Sequence, residues 1–369
     1  MISVDLEYKL ALNLIHGVGD VVAKSLIAYC GNAEQVFKSK KAQLEKIPGV
    51  GSFIANSIIS SKDIFSRAEK EIQFIEKYKI KPLFFTDEEY PERLKNCIDS
   101  PIMLYYKGNA NLNTEKIVGV IGTRTPTANG KMLTEKLISD LTESGCLVVS
   151  GLAFGIDVTA HKAALDNNLK TVGVLAHGLD RIYPSEHKKI AEKMISQGGL
   201  LTEFMSETIP DRENFPKRNR IVAGMCDAIV IVESKREGGS LITSTIANSY
   251  NRDVFAFPGR PSDTLSEGCN GLIKTNKAAL IESAADLLFA MNWQKEKIEK
   301  HKSQQINLKL NFSEEEQSII KAFENKNQLH MDEISTATNL PINKTSAFLL
   351  QLEFSNIIRS LPGKMYELA

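Results

Sequence analysis

The chain has 369 residues, with 45 Lys+Arg against 45 Asp+Glu. Its formal charge of zero at pH 7 excludes the globally basic surface that would by itself suggest nucleic acid. Its 43% hydrophobic and 24% charged residues are those of a globular protein rather than a disordered one; at roughly 150 residues per domain the length predicts two or three domains, and no run of about 18 uncharged apolar residues is present to span a membrane.

The first segment, Met1-Ile-Ser-Val-Asp-Leu-Glu7, lacks the basic and apolar regions of a secretion signal, so a cytoplasmic location is expected. Residues 1–80 then carry an internal repeat. Ile15-His-Gly-Val-Gly-Asp-Val-Val-Ala-Lys-Ser-Leu-Ile27 returns as Ile47-Pro-Gly-Val-Gly-Ser-Phe-Ile-Ala-Asn-Ser-Ile-Ile59. Each copy ends an apolar segment, turns through Gly-Val-Gly and opens a helix, whose first unpaired N–H groups can point at a phosphate. This predicts a helical domain of helix-hairpin-helix (SAM-like) type, which grips nucleic-acid backbone without reading sequence. Few basic residues flank either hairpin, and Val18 and Val50 serve equally as core plugs of a tight helix-helix turn.

Residues 81–293 form the second predicted unit. Short β-branched runs, Ile117 to Ile121, Leu147 to Ser150, Thr171 to Leu175, Ala228 to Val232 and Val254 to Phe257, alternate with helical patterns. That alternation predicts an α/β fold, a mostly parallel sheet with helices on both faces, whose ligands sit beyond the carboxyl ends of the strands. Gly122-Thr-Arg-Thr-Pro-Thr-Ala-Asn-Gly130 follows the first run and fits neither standard nucleotide fingerprint. Ser150-Gly-Leu-Ala-Phe-Gly-Ile-Asp157 follows the second and lacks the strand-end acid that holds a ribose, which argues against NAD. Both loops offer backbone N–H groups to an anion, and Arg124 adds a guanidinium.

The densest basic cluster is Phe215-Pro-Lys-Arg-Asn-Arg220. Bases can stack on Phe215 while Lys217, Arg218 and Arg220 meet phosphates. The bland alternative is a solvated helix start. A further glycine turn, Glu237-Gly-Gly-Ser-Leu-Ile-Thr243, brings Gly239 and Ser240 to the same sheet edge. For catalysis, His161 lies four residues after Asp157, and His177 and His187 flank Asp180, yet no metalloprotease, nucleophile-elbow or carboxylate-metal spacing accompanies them. Asp157 and His161 are read as residues that cap and orient the strand-end loops. Five cysteines, Cys30, Cys97, Cys146, Cys226 and Cys269, form no paired motif, so reduced thiols are expected and neither a metal nor a cofactor is.

Residues 294–311 are rich in Lys, Glu and Gln and read as a solvated linker. In 312–369, Ser313-Glu-Glu-Glu opens a helix, two more helical patterns cover Met331 to Thr338 and Asn343 to Phe354, and Ile357 to Leu368 forms a hairpin turning at Pro362-Gly363. Three helices and a hairpin make a winged helix. Its third helix carries only Lys344 before the apolar face, so protein interaction stands beside duplex binding as its role.

As a set, Val118-Gly-Val-Ile-Gly-Thr-Arg124, Ser150 to His161, Gly178-Leu-Asp-Arg-Ile-Tyr-Pro184, Phe215 to Gly224, Gly239-Ser-Leu-Ile-Thr243 and Phe257-Pro-Gly259 resemble the DNA-processing protein A family (DprA, also called Smf). The resemblance implies an extended Rossmann-like core that binds single-stranded DNA, usually as a homodimer, and loads RecA recombinase during natural transformation. By motif, the single-strand pocket would use Gly122, Thr123, Arg124, Ser150, Gly151, Phe215, Lys217, Arg218 and Arg220, with Gly239 and Ser240 beside them. The hairpins and the winged helix add duplex DNA as a further candidate partner. The sequence departs from the family at Ala176, where glycine is common, and at Met225-Cys226, where serine often follows. Two rivals remain at this point. One is a Rossmann-like enzyme acting on a nucleotide or phosphorylated small molecule through Glu203 or Glu233, and the other is a transcription regulator resting on the tail alone.

Overall fold

The computed structural model describes residues 4–61, 63–294 and 312–369. The expected linker therefore lies outside the described residues except for Gln294. No described helix is long and apolar enough to cross a membrane.

The N-terminal unit consists of α1 (Val4–Leu14), α2 (Asp20–Cys30), α3 (Ala33–Lys38), α4 (Lys41–Leu44), α5 (Ser52–Ser60) and α6 (Asp63–Tyr78). The two repeats become the turns that open α2 and α5. In each, the first glycine takes a left-handed conformation, Gly17 at φ +85° and Gly49 at φ +83°. The second glycine is an extended N-cap, Gly19 or Gly51. The turns interlock: a side chain on Gly17 would meet Phe53 at 3.0 Å, and one on Gly49 would touch Val22. The apolar centre of this unit includes Leu10, Leu26, Ile58 and Ile72 and continues into Phe84, Met103 and Tyr105 of the following sheet. Buried Glu71 completes the seat, accepting the Ser206 N–H at 2.9 Å while Arg67 donates to the Ser206 carbonyl at 2.6 Å.

The central unit runs β1 (Lys81–Phe84), α7 (Glu92–Lys95), β2 (Met103–Gly108), β3 (Ile117–Ile121), α8 (Ala128–Asp140), β4 (Leu147–Ser150), α9 (Ile156–Asp166), β5 (Thr171–Val174), α10 (Lys188–Gln197) and β6 (Gly198–Thr202). It continues through α11 (Asn214–Met225), β7 (Ala228–Ile231), α12 (Gly239–Ser249), β8 (Asp253–Ala256), α13 (Glu267–Lys274), β9 (Ala279–Leu280) and α14 (Ala284–Ala290). The sheet has nine strands in the order β1-β2-β6-β5-β4-β3-β7-β8-β9. Strands from β6 to β9 are parallel, and β1 and β2 extend the sheet antiparallel. Alternate residues feed opposite cores: Ile117, Ile121, Ile229 and Ile231 pack with α11, α12 and α13, whereas Val118, Val120 and Val230 pack with α8, α9 and α14. The crossovers after β3 and after β7 thus leave on opposite faces. Between these neighbouring strands lies the switch point where open α/β sheets bind ligands.

Three predicted strands end one residue differently, yet the ladder persists: Leu175, Val232 and Phe257 still donate backbone hydrogen bonds to adjacent strands at 2.8, 3.1 and 3.1 Å. The sequence reading did not find β1, β2, β6 or β9. All five cysteines are free, and burial pushes the Cys146 thiol up to about 11.

The C-terminal unit consists of α15 (Glu314–Ala322), β10 (Gln328–His330), α16 (Met331–Thr338), α17 (Ile342–Phe354), β11 (Ile358–Leu361) and β12 (Met365–Leu368). Its three strands pair in the order β10-β12-β11 around a core of Ile319, Ile334, Leu349 and Leu352. It is a winged helix, and it rests on the central unit. Buried Arg252 pairs with Asp332, the Lys364 ammonium donates to the Asn251 carbonyl at 2.6 Å, and wing residue Gly363 approaches Met291 so closely that a Cβ would lie 1.9 Å from its carbonyl oxygen.

Candidate nucleic-acid interface

A cavity of about 540 Å³ opens at the switch point. The end of β3 supplies Gly122, Thr123 and Arg124; the start of α11 supplies Phe215 and Arg218; the turn into α12 supplies Gly239 and Ser240. The β3 loop is pinned from beneath. Thr123 donates its N–H to the Glu233 carbonyl at 2.7 Å, Ile156 donates to the Thr123 carbonyl at 3.2 Å, and the Glu233 carboxylate accepts the Thr127 N–H at 2.9 Å. Pinning spends the Thr123 N–H, so this loop does not offer that group to an anion. It leaves the Arg124 side chain exposed, with its guanidinium 5.2 Å from the centre of the Phe215 ring.

Arg212 and Lys235 also line the cavity, and both are exposed. Neither they nor Arg124 has an ion-pair partner among the described residues. Beneath them lies Arg218, only 5% exposed. Gly151 makes room for it, because a Cβ there would stand 1.3 Å from an Arg218 terminal nitrogen. Asp157 lies close enough for the two charges to favour each other, while burial works against both: it raises the Asp157 carboxyl and lowers the Arg218 guanidinium. The Arg218 Nε is buried without a hydrogen-bond partner. At the opposite wall, α12 begins at Gly239 behind the N-cap Gly238, which contributes no side-chain acceptor. The first N–H groups of a helix have no intrahelical partner and carry partial positive charge. Against the Asp157 and Glu237 carboxylates that also line the cavity, Arg124, Arg212, Lys235 and buried Arg218, together with the helix start, leave it with a positive excess that favours an anion.

Four expected site residues lie elsewhere. Ser150 is fully buried and donates to the Val120 carbonyl at 2.7 Å, tying β4 to β3. Gly151 leaves room for Arg218 and does not line the cavity. Lys217 is exposed but does not line the cavity. Arg220 faces the N-terminal unit, where it pairs with Asp20 at 3.1 Å and with Glu203 and donates to the Asp99 carbonyl, so its charge is already matched. Ser240 lines the cavity with its hydroxyl donated to Ser234 at 2.8 Å. Arg212, Lys235 and Asn219 were not found from the sequence. Both cations stand outside the dense cluster: Arg212 lies between Asp211 and Glu213, and Lys235-Arg236 lies in a stretch that opens with Glu233 and ends with Glu237, so nearby acids mask them in a composition-based reading.

Neither candidate catalytic carboxylate lines the cavity. Glu203 is bound to Arg220, and burial raises its carboxyl to about 7. Glu233 holds the start of α8 through Thr127. Asp157 accepts the N–H groups of Gly151 and Ala153 at 3.1 and 3.4 Å, which fixes the β4 loop. His161 is buried 2.7 Å from the Thr171 hydroxyl, and burial lowers its pKa to about 3, so it stays neutral. Asp227, His330 and Asp332 converge in the arrangement of a metal site, but Arg93 and Arg252 already match the two carboxylates.

The other two modules are partly engaged with the protein itself. At the first hairpin Asp20 accepts the Ile102 N–H at 2.9 Å, so this helix start lies against the central unit. The second hairpin is exposed at Gly49, Gly51 and Phe53. In the winged helix the wing is tied down by Lys364, and the first turn of α17 lines a second cavity of about 780 Å³ with Lys95, Ile98 and Tyr250.

Residues 81–292 match the DNA recombination-mediator protein A family, and residues 309–364 match the DprA winged helix domain. The chain belongs to the DNA recombination-mediator protein A family. Protein Smf of Synechocystis sp. is 33% identical over 401 aligned positions, covering 100% of both chains. DNA processing protein DprA of Streptococcus pneumoniae is 42% identical over 202 positions, which cover 55% of this chain and 71% of that one. The X-ray structure of the Streptococcus pneumoniae protein matches with a TM-score of 0.66 at 33% identity, over 76% of this chain and 95% of that one. The structure of DNA processing protein A from Helicobacter pylori, described for its single-stranded DNA binding mode, matches with a TM-score of 0.52 at 29% identity, over 57% and 94%. Family membership accounts for the extended α/β sheet and the winged helix.

Proposed function

We propose that this chain is a cytoplasmic single-stranded DNA-binding protein that protects incoming DNA and loads a RecA recombinase onto it in transformation or recombination. In this reading it acts as a homodimer and performs no turnover. The observation that carries it is the switch-point cavity, which Arg124, Arg212, Lys235 and buried Arg218 line together with Phe215, whose ring lies under Arg124. A polyanion with flat, unpaired bases matches both features, because phosphates take the cations and bases take the aromatic face. Gly122, Thr123, Arg124, Phe215, Arg218, Gly239 and Ser240 are the proposed contact residues, with Arg212 and Lys235 added by the geometry. Lys217 is proposed as an outer cation beyond the cavity. The relatives' names, DNA processing and single-stranded DNA binding, support the same reading.

Fluorescence anisotropy with labelled single-stranded and duplex oligonucleotides across a salt series tests this function. Tight single-strand binding is expected, and Arg124→Ala should lower the log–log salt slope by about 0.7, the value of one lost phosphate contact. An unchanged slope removes Arg124 from the site, and an absence of single-strand binding overturns the function. The loading step has its own test: the chain should shorten the lag of RecA filament growth on a strand precoated with single-strand binding protein, and an unchanged lag refutes it.

A further inference from the structure

Phe215 is not a bare platform. The Arg124 guanidinium lies over its ring, and Tyr183 stands beside it, with ring centres 6.3 Å apart and planes tilted by 56°. Tyr183 itself is 47% exposed, and its hydroxyl has no hydrogen-bond partner among the described residues. Its backbone is nevertheless fixed. The Tyr183 N–H donates to His177 Nε2 at 3.2 Å, and the other nitrogen of that buried ring lies 2.9 Å from the Gly178 carbonyl, which takes its proton. The segment follows β5, two strands from β3 in the sheet order, or about 10 Å along the carboxyl edge.

We propose that Tyr183 is a second base-stacking platform of the same site. It takes an unpaired nucleobase next along the strand from the phosphate held at Arg124, and so extends the contact from the β3–β7 cavity towards β5. This rests on the proposed single-strand binding. An aromatic face accepts any base, so Tyr183 adds affinity and site length without adding sequence preference. It carries no charge, so its contribution is insensitive to salt, unlike that of Arg124.

The test measures binding of thymidine oligonucleotides by the full chain and by Tyr183→Ala and Tyr183→Phe. Thermal melting of each variant confirms that it folds. The alanine variant should bind about 5- to 150-fold more weakly with an unchanged salt slope, the range of one lost base stack. The phenylalanine variant should bind like the wild type. The alanine deficit should vanish on a strand whose base at the stacked position has been removed. Wild-type affinity in Tyr183→Ala, or an equal deficit on the abasic strand, overturns the inference and leaves single-strand binding intact. A wild-type chain that binds no single strand overturns the proposed function, and this inference falls with it.

Discussion

Two arginines expected at the single-strand site, Arg124 and Arg220, separate by their partners. Arg124 is exposed and lies over an aromatic ring, with no ion-pair partner among the described residues, whereas Arg220 is held by Asp20, Glu203 and a carbonyl from Asp99. Arg220→Ala should therefore leave the salt slope of single-strand binding unchanged and destabilise the fold by roughly 3 kcal/mol, because it strands a buried carboxylate at Glu203. Urea denaturation beside anisotropy checks this, and a flattened slope at unchanged stability would return Arg220 to the DNA. The sequence could not make this distinction, since the groups that match Arg220, Asp20 and the Asp99 carbonyl, lie 200 and 121 residues away in the chain. His161 gives a second residue-scale consequence. Unfolded, it binds a proton below about 6.5; folded, it does so only near about 3. The unfolded chain alone gains the proton in that window, so stability is lost as pH falls, by about 2 kcal/mol between pH 7 and pH 5. His161→Gln should flatten that dependence, as read from denaturation midpoints at the two pH values.

Glycine means different things at the two positions of each hairpin turn. Gly17 and Gly49 have positive φ, whereas Gly51 is an extended cap with nothing within 4 Å of its missing side chain. Gly17→Ala should cost about 1–2 kcal/mol from its backbone alone and somewhat more from the approach to Phe53, while Gly51→Ala should cost no more than about 1 kcal/mol. Equal losses in thermal denaturation would show that the turns are not held as described. The hairpins were legible because the repeat itself announces them, as β3, β4, β5, β7 and β8 were announced by β-branched runs. Strand β6 was not, because Gly198-Gly-Leu-Leu-Thr202 has no β-branched apolar residue and derives its strand character from pairing with β5 and β2. Tyr183 shows the same limit at the site: it was legible as part of a motif, but only the neighbouring ring of Phe215 gives it a role.

Across the whole molecule, the winged helix presents to its own central unit the parts that such modules use on duplex DNA. The wing is fixed by Lys364 and Gly363, and the start of α17 faces α7 across the second cavity. One buried ion pair, Arg252–Asp332, sits at the seam, with His330 and Asp227 beside it. Losing one partner of such a pair costs roughly 3–5 kcal/mol, more than a small interface retains once a buried charge is stranded. Asp332→Asn should therefore undock the module without unfolding the sheet. Hydrogen exchange in α16 and around Lys364 should accelerate, the radius of gyration in solution should rise, and exchange in β3 and β4 should stay unchanged. If the docked position of α17 against α7 keeps it from a duplex, the same variant gains affinity for duplex DNA while its single-strand binding at Arg124 is preserved. Undocking without that gain would instead make the module a protein-docking element, and unchanged exchange in α16 would place the strength of the seam in its apolar and wing contacts rather than in the ion pair.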